Sequence, residues 1–204
     1  ILGPSRRSFL TYGAAAVERG TAPGQLLASE LRSVYRIDKI DSDTAVTGLV
    51  GLPVMHSVSP HMHNAAFQAS GLNGVYLPLE VHDLSGFFKR MVVPRSREFD
   101  WNLCGLSITA PHKVEVMKFL DWIDPIAEEI GAVNTVILQN ERLLGYNTDA
   151  EGLIEPLIQR IGSLSGVRAA VIGSGGAASA AVFELQQHNV DVRLYARDPQ
   201  KAEK

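Results

Sequence analysis

From Thr44 onward, short apolar runs rich in β-branched residues alternate with segments of helical period, and this alternation narrows the fold to one class. Strands separated by helix-length crossovers pair in parallel rather than as hairpins, and a parallel sheet needs helices over both faces. The expected fold class is therefore α/β: a three-layer domain with a mostly parallel sheet, followed by the beginning of a second α/β unit. Strands are expected at 45–52, 75–81, 103–109, 135–138, 169–172 and 190–196. Helices are expected to begin near Ser59, Asp83, Pro111, Asp149 and Gly175, several behind an N-capping Ser, Thr or Asp and one with Pro in its first turn.

Two breaks divide the chain. The polar link Asp38-Lys39-Ile40-Asp41-Ser42-Asp43 separates an orphan N-terminal piece from the first α/β unit. The segment Gly162-Ser163-Leu164-Ser165-Gly166 reads as a short hinge before a new strand-turn-helix unit. Three regions follow, at 1–43, 44–161 and 162–204. Because the chain opens on Ile1 rather than Met and stops at Lys204 just past a strand end, it is expected to be part of something longer.

Composition excludes several classes of partner. Nineteen Lys and Arg against twenty-two Asp and Glu leave a net charge of -3, and no contiguous basic run offers the stripe that nucleic-acid affinity requires. No apolar stretch approaches the roughly 20 residues that span a bilayer, so neither nucleic acid nor membrane is an expected partner. The single cysteine, Cys104, permits no intramolecular disulfide and no thiolate cage. A reducing compartment is expected, cytoplasmic or, for a plant protein, plastidic.

Residues 167–172 form an apolar run that feeds Gly173-Ser174-Gly175-Gly176-Ala177-Ala178, a GxGxxA loop that opens a helix. Glycines let backbone amides approach a pyrophosphate, while the helix N-terminus supplies unpaired N–H groups and a positive dipole end. An ordinary tight βα turn can carry the same glycines. The strand-loop-helix-strand order over about 30 residues favours a dinucleotide. The second strand of this unit runs into Arg197, and a cation there suits the 2'-phosphate of NADP, whereas the next residue, Asp198, suits the free ribose of NAD. Lys201 is a second candidate phosphate contact.

Four polar clusters precede this unit, each at a strand end, where open α/β sheets leave their ligand crevice. In the first, Ser57 and Ser59 alternate with Val58, so in extended chain both hydroxyls face one way and can hold two oxygens of one small ligand. The alternative is a pair of N-capping serines. His56, His61 and His63 lie close together, but no carboxylate or thiolate completes a metal set, so no metal is expected. The second cluster ends a strand at Thr109 and places Lys113 in the first turn of the helix expected from Pro111, where the macrodipole favours anions. A cation there points to a task, unless the side chain merely snorkels to water. The remaining clusters, 131–135 and 145–152, contain Asn134 and Asp149. Asp149 either caps a helix or meets Lys113, and in the second case the pair can deliver a proton to an oxygen that gains charge during ketone reduction.

With these residues in place, residues from about 46 to 204 closely resemble the shikimate dehydrogenase family. The resemblance implies that Ser57 and Ser59 bind the substrate carboxylate, that Asn64, Thr109 and Asn134 lie at or near the substrate pocket, and that Lys113 and Asp149 are the catalytic pair. It further implies that Gly173, Ser174, Gly175, Gly176 and Ala177 seat the diphosphate of NADP, and that Arg197 and Lys201 hold its 2'-phosphate. Ala196 and Asp198 stand where the family commonly has Asn and Thr. Ser107 replaces the Asn of many bacterial members, as in fused and plant members. The implied activity is NADPH-dependent reduction of 3-dehydroshikimate to shikimate, in aromatic amino-acid biosynthesis, with NAD-linked quinate turnover or a non-catalytic ligand sensor as the alternatives.

Residues 8–13 and 21–25 resemble the closing strand, lid loop and last helix of a type I 3-dehydroquinate dehydratase, with Gln25 matching a lid residue that touches dehydroquinate. That implies a covalently fused dehydratase domain, most of it outside this chain. The N-terminal piece is expected to expose apolar surface at Phe9, Leu26, Leu27 and Leu31. The 204 residues in isolation are expected to show little or no turnover.

Overall fold

The structure, a computed structural model, describes residues 11–16 and 25–197 together with Gly3 and Ser8. Three strands build one half of the main sheet: β1 (Ala45–Gly51), β2 (Gly74–Glu80) and β3 (Leu103–Ile108). Central β1 pairs in parallel with both neighbours, Val46 opposite Val75 on one side and Val50 opposite Ile108 on the other. Being covered on both faces, β1 needs apolar or small residues almost throughout, which is what 45–51 supplies.

The other half departs from the expected parallel order. β5 (Thr135–Gln139) and β6 (Arg142–Tyr146) form a hairpin, and a two-residue strand, β4 (Trp122–Ile123), pairs with the outer side of β6. The sheet order is β2-β1-β3-β5-β6-β4, with β5 antiparallel to both neighbours. Neither β4 nor β6 was expected from the sequence. A two-residue connection is too short for a crossover and forces the antiparallel return. Asn140 and Glu141 make that turn with φ of 51° and 60°, the left-handed pair of a type I′ turn. Asn-Glu is a weaker signal for it than Asn-Gly.

Alternation along the strands sorts residues to two faces. Val46, Val50, Val75, Leu77, Leu106 and Ile108 point into the large core, where Phe88, Trp101 and Val116 complete the packing. Full burial of each such side chain contributes about 1.5–3 kcal/mol. On the opposite face Leu49, Val54 and Tyr76 pack with Phe67 of the helix α2 (Ser59–Ala69). The large core also takes in Leu31, Tyr35 and Ile37. Thus α1 (Ala28–Ser33) and the turn after it are part of the main fold, not a separate piece. Leu31 is 6% exposed and Leu26 packs against the same core, which corrects the expectation of open apolar surface there. Phe9 lies outside the described residues.

Helices form where expected at Ser59 and, shortened to α3 (Leu84–Phe87), after Asp83, whose carboxylate accepts from Gly86 N at 3.0 Å. The helix expected from Pro111 is absent. Residues 111–114 form turns and a 3-10 helix follows at Glu115–Phe119. No helix macrodipole therefore acts on Lys113, because the lysine precedes a short 3-10 segment with no aligned run of peptides behind it. α4 (Pro125–Ile130), not expected, is capped by Asp124 and closed by Gly131 at φ 72°, a left-handed position that glycine adopts without strain.

α5 (Asp149–Ile161) leads into the second unit, in which β7 (Arg168–Ile172) and β8 (Asp191–Tyr195) pair in parallel around α6 (Gly176–Gln187). Ile154, Leu164, Leu185 and Val190 form its core, and Ile130, Ala132, Ala150 and Ala180 join α5 and α6 to the main sheet unit. No helix among the described residues is long and apolar enough to cross a membrane.

Candidate active site

Strand direction gathers the site. β1, β3 and β6 end at the same edge of the sheet at which antiparallel β5 begins, as the pairings Ser107 with Thr135 and Thr135 with Tyr146 require. Segments 52–59, 109–113, 131–134 and 147–149 therefore converge there from distant parts of the chain, in the crevice that open α/β sheets reserve for ligands.

At this edge the Lys113 ammonium donates to Asp149 Oδ2, and the lysine side chain is only 14% exposed. Asn134 Nδ2 donates to the other carboxylate oxygen of Asp149 at 2.7 Å and to Thr148 Oγ1 at 3.0 Å. Main-chain bonds lock the two carriers together: Val133 N donates to Lys113 O at 2.8 Å, and Ile108 N to Asn134 O at 2.7 Å. Lysine, asparagine and aspartate thus form one polar unit across 36 residues of sequence.

Asp149 is the first residue of α5, yet its carboxylate does not cap that helix. Asn147 takes the capping role, its Oδ1 accepting from Asp149 N at 3.0 Å and Ala150 N at 3.4 Å. Asn147 Nδ2 also donates to Ala132 O at 2.9 Å, tying the turn to the 131–134 segment. This frees the neighbouring carboxylate for Lys113. The sequence reading missed Asn147, although an Asn two residues ahead of an expected helix start is a recognisable Asx-cap signal.

Ser57 and Ser59 do meet, but not through extended chain. Val58 lies in the αR region, Ser57 Oγ donates to Ser59 Oγ at 3.1 Å, and Ser59 N donates to Ser57 Oγ at 3.2 Å. One hydroxyl therefore caps the start of α2 while both remain partly exposed on one side. Thr109 follows β3, bonded to β1 through Thr109 N to Val50 O at 2.8 Å. Its methyl occupies the space beside Gly51, where a Cβ would lie 2.3 Å from Thr109 Cγ2.

Asn64 is corrected. It is 2% exposed, and its amide exchanges both bonds with the Tyr76 backbone, Nδ2 to O at 2.9 Å and N to Oδ1 at 2.8 Å. It fastens α2 to β2 and is not free to hold a ligand. His63 stacks on the Tyr76 ring at 4.2 Å, and among the described residues no group of three His, Cys, Asp or Glu side chains gathers around a point. His112, buried, places Nε2 2.8 Å from Val81 O and anchors the turn before Lys113.

On the sheet face that carries α2, a cleft of about 270 Å³ is lined by Thr47, His63, Tyr76, Ser107 and Thr135 among others. Burial pushes the Tyr76 phenol up, partly offset by a hydrogen bond with Ser107.

The glycine loop connects β7 to α6. Gly173 has φ of 125°, a conformation closed to residues with a Cβ, and nothing lies within 4 Å of a Cβ placed at Gly175. No side chain caps α6, so its first amide groups remain for an anion. Gly173, Ser174, Gly175, Gly176 and Ala177 therefore form a cradle that fits a diphosphate. Arg197 follows β8 and is exposed. Lys201 and Asp198 lie outside the described residues.

Comparison with known proteins places this architecture. Residues 49–136 match the family model described as shikimate dehydrogenase substrate binding domain. The NADP(+) shikimate dehydrogenase of Desulforamulus reducens is 43% identical over 168 residues, covering 81% of this chain and 56% of that protein. The chloroplastic bifunctional 3-dehydroquinate dehydratase/shikimate dehydrogenase of Arabidopsis thaliana is 34% identical over 209 residues, covering 95% of this chain and 34% of that protein. The shikimate 5-dehydrogenase of Thermus thermophilus, solved with NADP(H) and shikimate, superposes with a TM-score of 0.66 at 36% identity, over 78% of this chain and 58% of that one. The class is thus an α/β protein whose first unit is similar to the shikimate dehydrogenase substrate binding domain and is followed by Rossmann-type structure. Over most of its length the chain is similar to shikimate dehydrogenases in both sequence and fold. The chain spans about half the length of the curated relatives it matches.

Proposed function

We propose that this chain carries the substrate-binding and proton-handling machinery of an NADPH-dependent shikimate dehydrogenase, which reduces 3-dehydroshikimate to shikimate. The observation that carries the reading is the ion pair of Lys113 with Asp149, reached by Asn134, at the edge where the sheet meets the glycine loop. Regions 44–161 and 162–204 are the substrate domain and the start of the cofactor domain.

When bound, NADPH would supply the hydride to the ring carbonyl carbon. Ser57 and Ser59 hold the substrate carboxylate through their hydroxyls. Asn134 and Asp149 orient ring hydroxyls, and Thr109 lines the same edge. The Lys113 ammonium stands beside the carbonyl oxygen, stabilises the charge that develops there and gives it a proton, becoming the amine. Solvent then restores the ammonium through a site held in place by Asp149. Glycines 173, 175 and 176 with Ser174 and Ala177 seat the diphosphate, and Arg197, with Lys201 four residues on, pairs with the 2'-phosphate.

We also propose that, of the first 43 residues, those ahead of α1 continue a dehydratase domain fused in front of this one, while α1 and the turn after it pack into the substrate domain. Support comes from the Arabidopsis relative, whose match extends over nearly the whole chain, whereas the free-standing relative's match leaves about a fifth of it uncovered. The test is steady-state turnover of the full-length protein with shikimate or quinate and with NADP+ or NAD+. The expected result is preference for shikimate with NADP+, lost by about a hundredfold or more in Lys113→Ala. Faster quinate oxidation with NAD+, or full turnover in Lys113→Ala, overturns the assignment.

A further inference from the structure

The first residue of the cofactor helix touches the catalytic lysine. A Cβ built on Gly176 would lie 2.9 Å from Lys113 Cβ, 3.1 Å from Lys113 Cδ and 3.0 Å from Ala132 Cβ. Real Cβ atoms essentially never come closer than 3.0 Å, so no side chain fits here unless α6 or the lysine moves. Neither has easy room. Ala132 is completely buried, and the Lys113 backbone is pinned by Val133 N. Lys113 Cβ is attached directly to that pinned backbone, so the contact cannot be relieved by swinging the distal chain. The neighbouring glycine differs in kind, since nothing lies within 4 Å of a Cβ at Gly175.

We propose that Gly176 is a positioning residue for Lys113: the opening turn of the cofactor helix forms the wall against which the lysine stem is held, while Asp149 fixes its ammonium. The inference rests on Lys113 as the proton-handling group. The stem is then confined on one side by Gly176 and Ala132 and at its tip by Asp149 and the Asn134 network. A ligand diphosphate that fixes the glycine loop also fixes this wall. Loop occupancy and lysine placement become coupled without direct contact between the diphosphate and the ammonium.

The test uses the full-length protein and its shikimate-dependent NADP+ reduction. Gly176→Ala is expected to lower kcat at least tenfold while KM for shikimate stays within about threefold, whatever it does to KM for NADP+. Gly175→Ala, which meets no protein atom, is expected to raise KM for NADP+ with kcat nearly unchanged. In a Lys113→Ala background, Gly176→Ala should alter the residual rate less than about twofold, because the ammonium whose placement it disturbs is gone even though the Cβ contact remains. An unchanged kcat in Gly176→Ala, a loss confined to KM for NADP+, or the same loss in both backgrounds overturns the proposal. If Gly176→Ala does not fold, competitive acylation of lysines in the unmodified protein decides. 2'-Phospho-ADP-ribose, which carries the diphosphate but no nicotinamide, should slow labelling of Lys113 severalfold relative to Lys89, and equal labelling with and without it overturns the idea. Absent turnover in the unmodified protein would instead defeat the functional assignment.

Discussion

The ammonium of Lys113 donates to the carboxylate of Asp149, while Asn134 holds the other oxygen of that carboxylate. One carboxylate thus fixes both a cation and an amide. Asp149→Asn keeps the shape and one oxygen for Asn134 but removes the charge that holds the lysine. We expect kcat to fall about a hundredfold, with shikimate affinity by equilibrium binding changed far less. Wild-type kcat in this variant would remove Asp149 from the catalytic unit.

Asn147 caps α5 and clamps it to Ala132 with the same amide. Replacing it by Ala removes the cap and leaves a backbone carbonyl without its partner, at a cost of about 1–2 kcal/mol. Urea unfolding should register that loss, and turnover should drop as well, because Asp149 is carried on the turn that Asn147 secures. A neutral effect on both would contradict the clamp.

Gly51 and Thr109 fit only because one of them lacks a side chain. Gly51→Ala is expected to destabilise the protein by about 1–3 kcal/mol through overpacking. Thr109→Ser removes the nearest clash but leaves Val54 Cγ1 at 2.8 Å and Ala110 O at 3.0 Å, so the double variant should recover only part of the lost stability in a thermal melt.

Asp41 is held below its ordinary carboxyl value of 3.8 by hydrogen bonds from the Asn73 and Thr44 side chains and the Asp43 amide. A depressed carboxyl contributes stability above its unfolded-state value and loses that contribution as pH falls through its folded-state value. The difference in urea midpoint between the unmodified protein and Asp41→Asn should therefore be present at neutral pH and close below about pH 4. A gap that persists or widens in acid would show that the effect does not come from this charge.

Arg197 is exposed just past β8, and the proposed function assigns it the 2'-phosphate of NADP. A charge-assisted phosphate contact contributes about 1.5–3 kcal/mol, so Arg197→Ala should raise KM for NADP+ roughly 10- to 100-fold. KM for NAD+ should barely move. Equal losses with both cofactors would place the arginine elsewhere.

Much of this protein was legible before any coordinates. Period-2 and period-3.6 patterning marks six of the strands and α2, α5 and α6, because burial on a sheet or helix face imposes those periods directly on residue choice. The glycine loop is equally legible, since only glycine tolerates the backbone at Gly173. Local signals were weaker at β6, where an Asn-Glu turn reversed the chain, and after Pro111, where a 3-10 segment replaced the expected helix.

What the chain order alone decides, then, is which residue types stand at strand ends: two serines, a lysine, an asparagine, an aspartate and a glycine loop. Whether they meet is settled only by the folded sheet, because reversing β5 brings Asn134 and Asp149 to the edge where β3 delivers Lys113. The same packing removed Asn64 from the ligand-facing set, by giving both ends of its amide a backbone partner, and put Gly176 against the lysine stem. Contacts of that kind depend on distances between segments far apart in the chain, and no local pattern records them.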